Sequence, residues 1–529
     1  MKRTVHHCLA TLAFLAAVAL PAAAHAFCGF YVSGSTEQLT NKATRVAMMR
    51  DGTRTVLSMS NDYDGPAQDF AMVVPVPVVL QRENVRTLPH EIFAHLEALT
   101  APRLVEYWEQ DPCRIEPEPG RAALASAVAT ASPAPPALQG ASHGVRIEAQ
   151  FTVGEYEVVV LSATQSTGLE LWLRENHYNI PQGAAEFMAP YVREQWKFFV
   201  ARVDIERAQR RPNGGARLSP LRFHYDAPDF RLPVRLGLLN AGAAQDLLVY
   251  LLHPTARFEV ANYRNAFIPT NLDVADSARG NFGQLYARLF DYTLEQAGGR
   301  AVVTEYSWST SSCDPCPTPP LEQADLATLG ADVLGAGRPG FDQSYHVYNM
   351  TVTRLHTRYN RATLTEDLVF REAAAVQGGR EFITDGRGRP EQGARPAQYG
   401  GNQFQARYAI RHPWTGRVTC RNPRRGVWGG PPNGQAPPTA TARDLAEVTR
   451  GGVQLTRAIR SPIPPIAFSP TPVVPATAPA VAPSTPTAPV RPTRPVRPGR
   501  RSERSVPQGA GLLAGLAALA GLVFARRRG

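Results

Sequence analysis

Two apolar stretches at opposite ends of this 529-residue sequence bound the part of it that can build a core. The first, Cys8 to Leu20, follows Lys2 and Arg3 and precedes Ala24-His25-Ala26. A charged start, an apolar middle and a small-x-small exit read as a secretory signal peptide over residues 1–26, with the mature chain starting at Phe27. A lipid-modified start at Cys28 is disfavoured, because bulky Phe27 stands where lipidation signals need a small residue. The second stretch, Gly509 to Ala525, is 17 uncharged residues, the lower limit for a membrane-spanning helix. The reading is a transmembrane helix over 508–525 and a cytoplasmic arginine tail over 526–529, held inside by Arg526, Arg527 and Arg528. Residues 461–507 are rich in Pro, Ala, Thr and Val and too poor in large apolar groups to offset chain ordering. They are expected to be a disordered linker, reaching on the order of 140 Å in polyproline form.

The formal net charge of +11 suggests nucleic acid until it is located. Lys2 and Arg3 contribute two charges and the segment from Arg491 onward a further eight, which leaves +1 for the rest. A nearly neutral body argues against phosphate-backbone binding. The partners that fit an exported, anchored chain are the membrane itself, through the C-terminal helix, and another envelope protein or a polysaccharide.

Between the ends, strand signals dominate. Thr44 to Arg50 and Thr53 to Ser60 flank Asp51-Gly52, a hairpin signal. Phe70 to Val76, Val145 to Leu161, Phe198 to Val203, Leu221 to Tyr225, Asp246 to Leu252, Phe258 to Asn262, Ala301 to Trp308, Tyr345 to Tyr359 and Gln405 to Ile410 read as strands. Helices are predicted over Pro89 to Leu99, Ala101 to Gln110, Leu169 to Glu175, Ala184 to Glu194 and Phe282 to Gln296. Residues 117–144 and 372–403 read as flexible inserts, and 421–460 as an extension of the 27–420 body. The pattern predicts an α+β fold with a mainly antiparallel sheet, stabilised by disulfides.

Several segments together carry a family resemblance. They are Phe27-Cys28-Gly29-Phe30-Tyr31-Val32, Gly168 to Leu173, Val260-Ala261-Asn262-Tyr263 and Ile268-Pro269-Thr270-Asn271-Leu272. The most specific is Thr304-Glu305-Tyr306-Ser307-Trp308 leading to Cys313-Asp314-Pro315-Cys316, with Thr353 to Tyr359 and Arg411-His412-Pro413-Trp414 following. The chain resembles the bacterial domain of unknown function (DUF) 2330 family over much of 27–420. The resemblance implies an exported bacterial protein and no known activity. The Pro-rich spacer, apolar segment and arginine cluster are also similar to C-terminal sorting tails of Gram-negative bacteria, although no cysteine follows Cys420.

The mature chain has five cysteines, Cys28, Cys113, Cys313, Cys316 and Cys420, an odd number for an oxidising compartment. Cys313 and Cys316 can pair directly. Their spacing matches a thiol-disulfide active site, but that chemistry needs the first thiol at a helix N-terminus, and Pro317, Pro319 and Pro320 deny a helix there. A disulfide-stapled turn is the expectation, with connectivity among the five left open. His90 and His95 are at i and i+5, about 140° apart on a helix, so they do not form the i, i+4 pair of a zinc protease. Asp62-Tyr63-Asp64-Gly65 begins like a calcium loop but places Ala71 where a bidentate Glu belongs. No metal or cofactor is therefore expected. Glu305, His356 and His412 are polar residues in apolar, strand-like segments and could converge as acid, base or ligand. No complete catalytic motif accompanies them. The sequence is read as a noncatalytic binding or structural module of the envelope. The alternative is an envelope enzyme, either an oxidoreductase at Cys313/Cys316 or a hydrolase.

Overall fold

The hairpin signal at Asp51-Gly52 appears in the computed structural model as strands Thr40–Asp51 and Arg54–Asp64, with Asp51 opposite Arg54. The two turn residues are Gly52 and Thr53, one position later than predicted, and Gly52 at φ 58° takes the left-handed conformation. The structure describes residues 30–33, 40–64, 70–113, 140–178, 180–181, 183–210, 216–240, 244–335, 349–381, 390–397, 401–435, 439–445 and 448–473. Residues 1–26, Cys28 and 508–529 lie outside these residues. All those described fall in the unit Met1–Ala476.

Strand Phe70–Val76 is buried along its whole length, and its two faces enter different cores. Phe70, Met72, Val74 and Val76 enter the layer between two sheets, while Ala71 and Val73 lie under helices. This is the period-2 pattern of a strand covered on both sides. The strand belongs to an antiparallel sheet of six, with Phe30–Ser33 on one side and Lys197–Val203, Tyr156–Ala163, Val145–Val153 and Gly140–Ser142 on the other. Helices Ser166–Glu175 and Ala184–Arg193 cover its outer face through Leu169, Trp172, Leu173, Met188 and Tyr191.

The second sheet has eleven strands. Its central run is Ala301–Ser309, Thr351–Tyr359, Gln245–His253, Thr40–Asp51, Arg54–Asp64 and Leu221–Asp226, antiparallel except where Gln245–His253 meets Thr40–Asp51. Leu247, Val249 and Leu251 face the six-stranded sheet, and Leu248, Tyr250 and Leu252 face helices on the opposite side. Those helices are Glu91–Thr100, Phe282–Gln296 and Gln323–Leu329. Helices, sheet, sheet and helices thus stack in four layers, a mixed fold with several antiparallel sheets.

Three segments depart from the sequence reading. Residues 101–110 do not form the predicted helix: Arg103–Glu109 is a strand, parallel to Arg407–His412 and antiparallel to Thr439–Thr441. Its branched and aromatic residues suit a pleated surface, and tertiary pairing overrides helical propensity. Within the predicted flexible insert, Val376–Gly378 pairs with Gln403–Gln405 and with Arg395–Pro396 in the large sheet. The first residues of the expected linker lie against the body, with Phe468 bridged to Ala266 and the Phe267 amide donating to the Ala467 carbonyl at 2.9 Å. No helix among the described residues is long and apolar enough to cross a membrane.

Candidate functional site: a buried chain of charges

Strand Ala301–Ser309 carries an irregularity at its middle. Thr304 is opposite Leu355 and Tyr306 is opposite Arg354, so Glu305 is an extra residue with no partner of its own. A bulge of this kind re-aims a side chain. Glu305 joins the helix-covered face, where its carboxylate accepts from the Tyr286 hydroxyl at 2.5 Å, Arg354 Nε at 2.7 Å and His356 Nδ1 at 2.8 Å. Arg354 and His356 reach the same face because they are two apart on one strand. His356 Nε2 continues the chain to Asp246 Oδ1 at 3.0 Å, and the Phe290 ring stacks on the imidazole at 3.8 Å between centroids. Asp246 also accepts from Arg358 at 3.2 Å and from Arg450 at 2.9 Å, and Arg450 reaches Asp291. Glu305, Arg354 and His356 are wholly buried.

Both ring nitrogens of His356 face carboxylates, and only the imidazolium donates from both. Burial alone would lower its pKa, but the Glu305 charge and hydrogen bonds to Asp246 and Glu305 outweigh it, and the value is raised. Burial pushes Glu305 upward, yet His356 and Arg354 hold it down at about 2. Asp246 is likewise lowered, against its burial, by His356 and then by Arg450 and Arg358. Each charge is thus compensated locally. The arrangement leaves His356 no lone pair to offer a substrate.

His412 does not join Glu305 and His356. It binds Glu106 through Nε2 at 2.8 Å and stacks on Trp108, with ring centroids 4.5 Å apart, and Glu106 in turn pairs with Arg279. The structure therefore unites two of the three predicted residues and adds Asp246, Tyr286, Arg354 and Arg450. A charged residue at the head of the apolar run Leu247 to Leu252, and the same-face spacing of Arg354 and His356, are the signals that point to two of these.

The cysteines pair as Cys113–Cys420 and Cys313–Cys316. Cys313 sits in irregular chain, and the next helix begins only at Gln323. The turn between the two is tied down: Arg103 donates to the Pro315 carbonyl at 2.7 Å, and the Glu381 amide donates to the Asp314 carboxylate at 2.8 Å. His95 on its helix binds the Pro319 carbonyl and Asp325. Asp62 and Asp64 lie on strand Arg54–Asp64 rather than in a turn. Among the described residues, no group of three or more His, Cys, Asp or Glu side chains is placed to hold a metal ion.

Fold and site define a layered mixed protein with several antiparallel sheets, cross-linked by disulfides and carrying a chain of charges whose centre is fully buried. Residues 21–371 match the family described as an uncharacterised protein conserved in bacteria, domain of unknown function (DUF) 2330, and the chain belongs to that family. The match takes in Asp246, Glu305, Arg354 and His356 and ends before Arg407, His412 and Cys420. Comparison with curated proteins gives no match, and comparison with solved structures gives none.

Proposed function

We propose that the chain is an exported envelope or surface protein, anchored by residues 508–525 unless its tail is clipped, whose body is a noncatalytic binding or structural module. The observation that carries this reading is the state of His356, buried and donating from both nitrogens to Asp246 and Glu305. A hydrolytic base needs a free lone pair within reach of substrate, and this histidine has none. The paired cysteines support residence in an oxidising compartment. The oxidoreductase alternative loses its main device, because Cys313 has no helix terminus to lower its thiol pKa. The partner is another envelope protein or a polysaccharide rather than nucleic acid, since the charge outside the two ends is close to zero.

Protease treatment of spheroplasts tests the topology. Residues 27–507 should be degraded while a tag after Gly529 survives, and a fully protected body would overturn the reading. Rapid alkylation of Cys313 near neutral pH after mild reduction would instead favour the oxidoreductase.

A further inference from the structure

The helix-covered face of the large sheet holds a second set of polar atoms that the Glu305–His356 chain does not use. Tyr250, Arg354, Tyr306 and Gln405 stand opposite one another across four successive strands. All four side chains are fully buried. Arg354 commits only Nε to Glu305, and its Nη1 and Nη2 have no hydrogen-bond partner among the described residues. The Tyr250 hydroxyl has none either, and the Arg354 guanidinium lies over its ring, 5.7 Å from the centroid. On the far side of the row, Arg103 lies 5.4 Å from the Tyr306 ring centroid. Arg103 is also fully buried, and its guanidinium donates to the carbonyls of Pro315 and Leu99 rather than to a carboxylate.

Buried donors in folded proteins are nearly always matched, so this group requires an occupant. Its composition says which kind. The two Nη atoms carry four N–H groups and the Tyr250 and Tyr306 hydroxyls one donor each, six in all, whereas the unmatched acceptors are those two hydroxyl oxygens and Gln405 Oε1. Burial keeps the Tyr250 hydroxyl protonated by raising its pKa. Water brings as many donors as acceptors and would leave the surplus of donors, four of them on a guanidinium, in place. An anion accepts without donating, and charge-assisted bonds to arginine are the stronger kind.

We infer that this row encloses a site for one small monovalent anion, a carboxylate or an inorganic ion of similar size. Arg354 Nη1 and Nη2 and the Tyr250 hydroxyl bind it, and Arg103 adds positive charge from across Tyr306. Full burial of all four side chains limits the occupant to a few heavy atoms. Because the row has no exposure, the ion is taken up during folding and stays with the purified protein.

The test uses the full-length chain in detergent, exchanged into a buffer whose only anion is a large sulfonate. Ion chromatography of the denatured protein should release one equivalent of a single anion per chain. Melting temperature, followed while chloride, bromide, formate, acetate or phosphate is added at constant ionic strength, should rise for one class alone, which separates a halide site from a carboxylate site. Tyr250→Phe keeps the ring and removes one donor, so it should weaken that anion by about fivefold without altering the circular dichroism. Release of no anion, melting that follows ionic strength alone, or a Tyr250→Phe titration identical to wild type would each overturn the site.

Discussion

Along strand Gln245–His253, Leu247, Val249 and Leu251 enter the layer between the sheets, while Asp246 and Tyr250 turn one residue away into a layer of charges and hydroxyls. The same strands therefore build two unlike faces. The inter-sheet face draws its stability from apolar area removed from water, which is non-directional and tolerant of exchange. On the helix side, Glu305, His356, Asp246 and Arg354 are paired ion by ion. Burying such pairs adds little net stability over apolar residues, whereas removing one member leaves an uncompensated charge. What the charges do enforce is register: a slip of one residue would drive Asp246 and His356 into the apolar layer.

The contrast breaks most visibly at Glu305. Glu305→Ala leaves Arg354 without its carboxylate and His356 with Asp246 alone, and should cost about 3–5 kcal/mol in urea unfolding. A loss below about 1 kcal/mol would show that the charged face behaves like the apolar one. On the other face, Leu247→Ala should cost about 3 kcal/mol by leaving a cavity, and that cost should be the same at every pH at which the protein folds.

The pH profile of the wild type sharpens the difference. The raised pKa of His356 means its contribution is complete below its ordinary value of 6.5 and is lost as pH climbs through the folded value. Glu305 works in the opposite sense: its contribution is complete above its ordinary 4.5 and disappears as pH falls towards 2. The charged face thus contributes most between about pH 4.5 and 6.5. Denaturation midpoints across pH should fall on both sides of that window in wild type and in Leu247→Ala, and should flatten in Glu305→Ala. The smallest effect is expected at the rim of this face. Replacing Cys313 and Cys316 together with Ser opens a very short loop and should cost about 2 kcal/mol in a thermal melt. A much larger loss would mean that the turn organises Arg103 and its surroundings.

Much of the layered core is legible in sequence, because strands buried on both faces read as unbroken apolar runs and Phe282–Gln296 has the bounds its periodicity predicts. Glu305 and His356 stand out as polar residues in such runs, and they do meet. His412 carries the same signal, but its strand pairs with Arg103–Glu109 in a separate sheet, and no local pattern reveals that. The bulge that turns Glu305 is equally silent, since it depends on the register of a strand 50 residues away. Arg450 arrives from a Gly-rich extension with no strand or helix signal of its own. Asp246 stands at the head of its strand, where a charged residue is ordinarily a solvated edge.

The parallel pairing of Arg103–Glu109 with Arg407–His412 also sets a timetable. At about 5–20 residues per second, on the order of 15–60 s of synthesis separates the two strands. Throughout that interval the earlier strand has no native neighbour on its long side, and Arg103 has no enclosed place to go. A chain truncated before residue 407 would keep that edge open and prone to pairing with other copies. The six-stranded sheet, whose strands all lie within residues 30–203, can close early, whereas the sheet that contains Arg103–Glu109 is completed only by the last-made third of the body.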